Sequence, residues 1–216
     1  MPRPLGTPQG PAALAPARLE LDNDFAEVER HQLDEHSWIE VVPRLIRNPD
    51  DLLEELLREL DWSQRQRWMY DRKVDEPRLT ADYQDVAAAP AESLRVLARR
   101  FSEVYDVPYD GVWANQYRNE RDSTGWHADY ITCKRENCTV PVLTLGHPRR
   151  FLIKHRDGGP STRFIPNSGD LLVMRGRCQV NWKHAVPKQA RPSSTRVSVQ
   201  FQSTFQMTPE PEGRNT

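Results

Sequence analysis

The sequence predicts an α+β protein with a jelly-roll-like double-sheet core and N-terminal helices packed on one of its sheets. Three observations predict it. Two amphipathic helical segments fall in the first half of the 216-residue chain, short β-rich runs fill the second half, and turn residues separate several of those runs. Helices first and many short strands later suit two packed sheets with helices covering one of them. The length suits one domain.

Residues 1–18 are rich in Pro, Ala and Gly and lack the charged-then-apolar order of a signal peptide. A disordered tail is expected over residues 1–22, one domain over 23–206 and a flexible tail over 207–216. Residues 38–43 form a strand closed by Pro43. Asn48-Pro49-Asp50-Asp51 then opens a helix with a cap residue, proline at the first helical position and acids in the first turn. Leu52, Leu53, Leu56, Leu57 and Leu60 give that helix one apolar stripe, and Leu94, Leu97, Ala98 and Phe101 give another to residues 90–104. Strands are expected over 112–118, 141–146, 150–155, 162–166, 170–174 and 196–204. A hairpin tip falls at 156–160 and a turn at 167–169.

No apolar run approaches the roughly 20 residues of a membrane span. Three cysteines, Cys133, Cys138 and Cys178, point to a reducing cytoplasmic setting, and no second pair completes a zinc set. The net charge of −1 conceals a division. Residues 1–111 carry 14 basic and 23 acidic side chains, whereas residues 112–206 carry 15 and 6. Such asymmetry suits an anionic partner, or two halves that neutralise each other.

Two histidines and a carboxylate leave one face of an octahedral ion open for co-substrate and oxygen, the arrangement of non-haem iron oxygenases. Residues two apart on a strand share a face, so His-x-Asp can offer two ligands. The triplet occurs twice, as His127-Ala128-Asp129 and His155-Arg156-Asp157. The second sits at the hairpin tip, where polar residues are simply solvated. It also opens like a kinase catalytic loop, but Thr162 stands where that loop needs asparagine. The first has His184 downstream and then Arg196, a late arginine suited to clamping a carboxylate with two parallel hydrogen bonds.

Six segments in this order resemble the AlkB family of nucleic-acid dealkylases: Pro77-Arg78-Leu79-Thr80-Ala81, Asn115-x-Tyr117-Arg118-Asn119, Trp126-His127-x-Asp129, Gly169-Asp170-Leu171-Leu172-Val173-Met174, Trp182-x-His184-x-Val186-Pro187-Lys188, and Arg196. The resemblance covers roughly residues 38–205. It implies a double-stranded β-helix, Fe(II) on His127, Asp129 and His184, and 2-oxoglutarate and O2 as co-substrates. Asn115, Tyr117 and Arg196 match positions that hold 2-oxoglutarate, and Gln202 stands where the family carries a second arginine. Ser198 replaces a frequent asparagine, and Gln200 is a looser match. The family's acidic residues after His-x-Asp are replaced by Tyr130 and Ile131. A base-stacking pocket would draw on Trp62, Trp68, Tyr70 and Tyr83, beside Arg65, Arg67, Arg72 and Lys73.

The resemblance implies oxidative dealkylation of alkylated bases, with nucleic acid as substrate; the sequence itself gives no sign of a membrane association or of an obligate protein partner. An AlkB-like hydroxylase or demethylase of a protein or small molecule is the alternative, favoured by the altered residues after Asp129. The intact triad and Arg196 argue against a binding module without turnover.

Overall fold

The apolar stripe at residues 52–60 forms α1 (Pro49–Glu59), with Leu52 and Leu56 buried and Asp50 and Asp51 in its first turn. Asn48 precedes it but does not cap it. Its Oδ1 accepts from the Glu20 backbone N–H at 2.9 Å, fastening the incoming chain instead. The second stripe forms α2 (Glu92–Tyr105), which buries Leu94, Leu97, Ala98 and Phe101 and ends at Asp106 in the left-handed conformation. The computed structural model describes residues 19–22, 25, 27–69, 71–129, 133, 135 and 137–208.

These residues are mostly sheet with few helices, a more β-rich chain than the expected α+β class. An antiparallel sheet of seven strands contains β1 (Glu29–Gln32), β2 (Ser37–Val42), β5 (Leu79–Tyr83), β6 (Gly111–Tyr117), β8 (Cys138–Gly146), β11 (Leu171–Gly176) and β13 (Arg196–Gln202). Their order is β1-β2-β11-β8-β13-β6-β5. A smaller antiparallel sheet has the order β10-β9-β12-β7, with β7 (Thr124–His127), β9 (Phe151–His155), β10 (Thr162–Phe164) and β12 (Trp182–Val186). A separate hairpin pairs β3 (Gln66–Met69) with β4 (Arg72–Asp75). The short helices α3 (Cys178–Asn181) and α4 (Thr204–Met207) precede β12 and follow β13.

Two apolar clusters divide the interior. In one, Leu52 and Leu56 of α1 and Leu94, Leu97 and Phe101 of α2 join Val112, Leu143, Leu145, Val197, Val199 and Phe201 of the large sheet. In the other, Ile39, Tyr117, Val140, Leu172 and Met174 of the large sheet meet Phe151, Ile153, Phe164 and Val186 of the small one. Strand β13 serves both. Val197, Val199 and Phe201 face the helices, so period-two alternation turns Arg196, Ser198, Gln200 and Gln202 towards the space between the sheets.

At the ends of the described residues, Leu19 and Leu21 pack on the core and Leu21 bridges Ile46. Gln206 of α4 is buried and exchanges hydrogen bonds with the Thr139 backbone. Cys133 and Cys138 are paired as a disulfide, where a reducing setting had suggested free thiols. Cys178 is free and buried, and burial pushes its thiol up to about 12. Among the described residues no helix is long and apolar enough to cross a membrane.

Gly176, at φ +63°, closes the β11–β2 pairing opposite Ser37, and an added Cβ would fall 2.0 Å from the His36 carbonyl oxygen. Gly125, on β7, has open space around the same position. Gly176→Ala is therefore expected to lower the unfolding free energy in urea by about 2 kcal/mol, whereas Gly125→Ala changes it by less than about 0.5 kcal/mol.

Candidate metal centre

The pairing of β12 with β7 sets His184 directly opposite His127. Their rings lie 4.2 Å apart, and Phe151 stacks on His184 at 5.2 Å with an interplanar angle of 20°. Asp129 is not on the strand, as the same-face argument required, because β7 ends at His127. The chain just beyond that end carries the carboxylate back towards both rings. Its Oδ1 lies 3.5 Å from His127 Nε2 and its Oδ2 lies 3.3 Å from His184 Nε2. One ligand atom from each residue lies within 4.8 Å of the other two.

The electrostatics suit a cation. His127 Nδ1 contacts the Gly125 carbonyl oxygen at 2.8 Å, and donating there leaves the Nε2 lone pair for a metal. Burial holds the His127 pKa down, and repulsion from His184 adds to it, so the neutral ligand form is favoured. Burial pulls the Asp129 carboxyl up, but the two histidines and a hydrogen bond from Gln200 outweigh that and hold it below its ordinary value. The second triplet has none of this. Asp157 is 87% exposed and only faces its neighbour His155 at the hairpin tip.

The triad opens into a cavity of about 330 Å³, which Arg78, Trp113, Asn115, Tyr117, Arg196, Gln200 and Gln202 also line. This is the size of a small-molecule pocket. Asn115 Oδ1 accepts from Arg78 Nε at 2.8 Å and from Trp113 Nε1 at 3.1 Å, which leaves its NH2 donors for a ligand. The Tyr117 hydroxyl bonds Thr124 Oγ1 at 2.8 Å, and the guanidinium groups of Arg149 and Arg196 lie 5.0 and 5.2 Å from the Tyr117 ring centre. Arg196 is 2% exposed. Its Nη2 donates to Thr144 Oγ1 at 3.1 Å, while Nε and Nη1 are buried without a hydrogen-bond partner. Burial, then Arg149, press its pKa down to about 10, still far above neutrality. A buried cation with two unused donors at a cavity wall suits an incoming carboxylate.

The pattern of the 2OG-Fe(II) oxygenase superfamily matches residues 26–208. The chain belongs to this superfamily. It is 29% identical over 188 residues to the human protein "Alpha-ketoglutarate-dependent dioxygenase alkB homolog 3", covering 78% of this chain and 65% of that one. It is 28% identical over 116 residues to "DNA oxidative demethylase ALKBH2" of Arabidopsis thaliana, covering 43% of this chain and 37% of that one. The chain thus spans just under two thirds of its human relative. The solved structure titled "The structure of OsALKBH1" superposes with a TM-score of 0.58 at 13% identity, covering 81% of this chain and all of that one, a likeness of fold.

Membership implies Fe(II), 2-oxoglutarate and O2, and the residues present fit them: two imidazoles and a carboxylate for iron, and the unsatisfied Arg196 for a dicarboxylate. The structure brings Asn115, Tyr117, Arg196 and Gln202 together with the triad. It does not bring in Trp62, whose Nε1 donates to the Leu56 carbonyl, or Tyr83, whose hydroxyl is engaged by Asp61. Trp68 stands 69% exposed on β3, away from the cavity wall. Tyr70, Tyr130 and Ile131 lie outside the described residues. Sequence reasoning missed Arg78, Trp113, Gln179 and Phe151. Arg78 belonged to a quoted motif but had no role, and nothing local distinguishes the other three.

His127→Ala, Asp129→Ala and His184→Ala are each expected to abolish Fe(II) binding under anaerobic titration, while His155→Ala and Asp157→Ala retain it. Equal losses in both sets would displace the triad. Arg196→Ala is expected to weaken 2-oxoglutarate binding at least tenfold, or about 1.4 kcal/mol, by calorimetry with Mn(II) in place of iron. Arg196→Lys should recover only part, since lysine lacks the planar fork.

Proposed function

We propose that this chain is an Fe(II)- and 2-oxoglutarate-dependent dioxygenase that oxidatively dealkylates nucleic-acid bases. The triad and buried Arg196 support the reaction class. The observation that carries the substrate class is the outer face of the small sheet. Its four strands contain no Asp or Glu at all. Lys183 sits directly opposite Lys154, and Arg163 opposite Leu152, so all three cations share the face turned away from His184. Among the described residues none of them has a carboxylate within ion-pair distance. Like charges opposed across a ladder are unfavourable, and an anion lying between them removes the repulsion. Trp126, one residue before His127, is 41% exposed on this face with Lys154 Nζ 4.4 Å from its ring centre. A phosphate backbone along the face would pass within one residue of a metal ligand, with one base turned into the cavity.

Each residue then has a physical task. His127, Asp129 and His184 hold iron, and Arg196 takes the distal carboxylate of 2-oxoglutarate, with Asn115 and Tyr117 beside it. Gln202 offers a neutral amide where relatives carry a cation. Iron and 2-oxoglutarate, when bound, supply the oxidation: dioxygen is consumed, 2-oxoglutarate becomes succinate and carbon dioxide, and one oxygen atom enters a C–H bond of the N-alkyl group. The N-hydroxymethyl product of a methylated base then returns its hydroxyl proton to nitrogen and leaves as formaldehyde. Phe151 and Val186 keep the wall beside His184 apolar and limit water.

Mass spectrometry of oligonucleotides carrying single methylated or etheno bases, after incubation with iron and 2-oxoglutarate, tests the reading. The expected result is restoration of the unmodified base with stoichiometric succinate; succinate without any change of the oligonucleotides would favour a protein or metabolite substrate. Single-strand affinity should also fall linearly with salt on logarithmic axes. Replacing Lys154 and Lys183 together by Gln should flatten that slope by about 1.4.

A further inference from the structure

The β7–β12 ladder ends at His127↔His184, and Asp129 lies two residues beyond it. A side chain from another element holds its backbone. The Asp129 N–H donates to Gln179 Oε1 at 2.7 Å, and Gln179 is 0% exposed. Gln179 lies on α3, between β11 and the strand that carries His184. One hydrogen bond therefore ties the arm bearing His127 and Asp129 to the arm bearing His184.

An amide can present oxygen or nitrogen, and presenting nitrogen here would set two donors against each other. Gln179 Nε2 donates to Met174 Sδ at 3.4 Å. A thioether can accept but has no hydrogen to give, so Met174 on β11 fixes which end of the amide faces Asp129. A second amide, Gln200 of β13, hydrogen-bonds the Asp129 carboxylate itself. The backbone of the one carboxylate ligand is thus held from α3 and its side chain from β13.

We propose that Gln179, oriented by Met174, is a positioning residue that fixes the backbone of Asp129 so that its carboxylate meets the two histidines. It touches neither metal nor substrate and acts only through Asp129. Groups that orient metal ligands commonly govern affinity by 10–100-fold, and a ligand outside regular structure depends on them most. The inference rests on Asp129 being a metal ligand.

The test uses the full chain and Co(II) as the probe, with affinity and the visible d–d spectrum as readouts and no turnover required. Gln179→Met preserves length but replaces the amide oxygen by a thioether, a much weaker acceptor. It is expected to weaken Co(II) binding by about 10–100-fold and to shift the spectrum. Gln179→Glu keeps an acceptor oxygen and should recover most of the affinity. Stability in urea is measured alongside. A Gln179→Met protein that is less stable yet binds Co(II) with wild-type affinity and spectrum would show a purely structural glutamine and overturn the proposal. Should that variant not fold, Met174→Leu removes the acceptor that anchors the Gln179 amide nitrogen while leaving Gln179 in place; about threefold weaker binding supports the proposal, and unchanged binding overturns it. Asp129→Ala separates the two levels: Co(II) binding that survives it removes the ligand assignment, whatever Gln179 does.

Discussion

The register that sets His127 against His184 is the constraint around which the rest of the centre is arranged. Side chains on a strand alternate between faces, so slipping β12 by one residue would send His184 outward and bring Lys183 in. A register of that consequence has to be held firmly, and both neighbours of β12 contribute. On one side β9 pairs with it over four residues and brings Phe151 flat against the His184 ring. On the other, β7 is an edge strand of four residues that ends at the metal centre. Asp129 lies just beyond that ladder, where the side chains of Gln179 and Gln200 bond it.

A second constraint is the burial of charge. Fully burying a guanidinium without enough acceptors costs several kcal/mol. Arg149 offsets much of that cost by donating from both terminal nitrogens to the carbonyl oxygens of Asn119, Asp122 and Pro187, and leaves only its Nε without a partner. Arg196 interacts with Thr144 and Tyr117 and leaves both Nε and Nη1 without a partner at the cavity wall. The backbone thus satisfies most of one arginine and less of the other. Alternation along β13 makes this possible, because the same strand seals the helix-facing core with Val197, Val199 and Phe201.

The fold also gives the division of charge a physical meaning. Acidic side chains gather in the N-terminal half, including the first turn of α1. The small sheet, made wholly from the second half, has cations and no acids on its strands. On these strands Lys154, Arg163 and Lys183 share one face, so part of the positive charge of the second half is gathered beside the candidate metal centre.

The sequence by itself determined the elements whose periodicity is strong and whose chemistry is local. Both helices, their buried faces and the strands rich in β-branched residues were legible because one side of each must be apolar. The two His-x-Asp triplets were told apart by the residues flanking them, and the resemblance in segment order singled out His184 and Arg196. Strands β1, β5, β7 and β12 were not legible, since their short polar runs gain stability from their neighbours rather than from their own pattern. Nor were the roles of Gln179, Gln200 and Arg78, or the pairing of Cys133 with Cys138. Only the tertiary structure decided that Asp129 reaches the histidines from beyond a strand end, that Trp62 and Tyr83 are engaged elsewhere, and that Arg149 spends both terminal nitrogens on backbone carbonyls while Arg196 keeps Nη1 without a partner. These outcomes depend on which side chains the folded backbone brings within hydrogen-bonding distance, a property of three-dimensional neighbours that spacing along the chain does not contain.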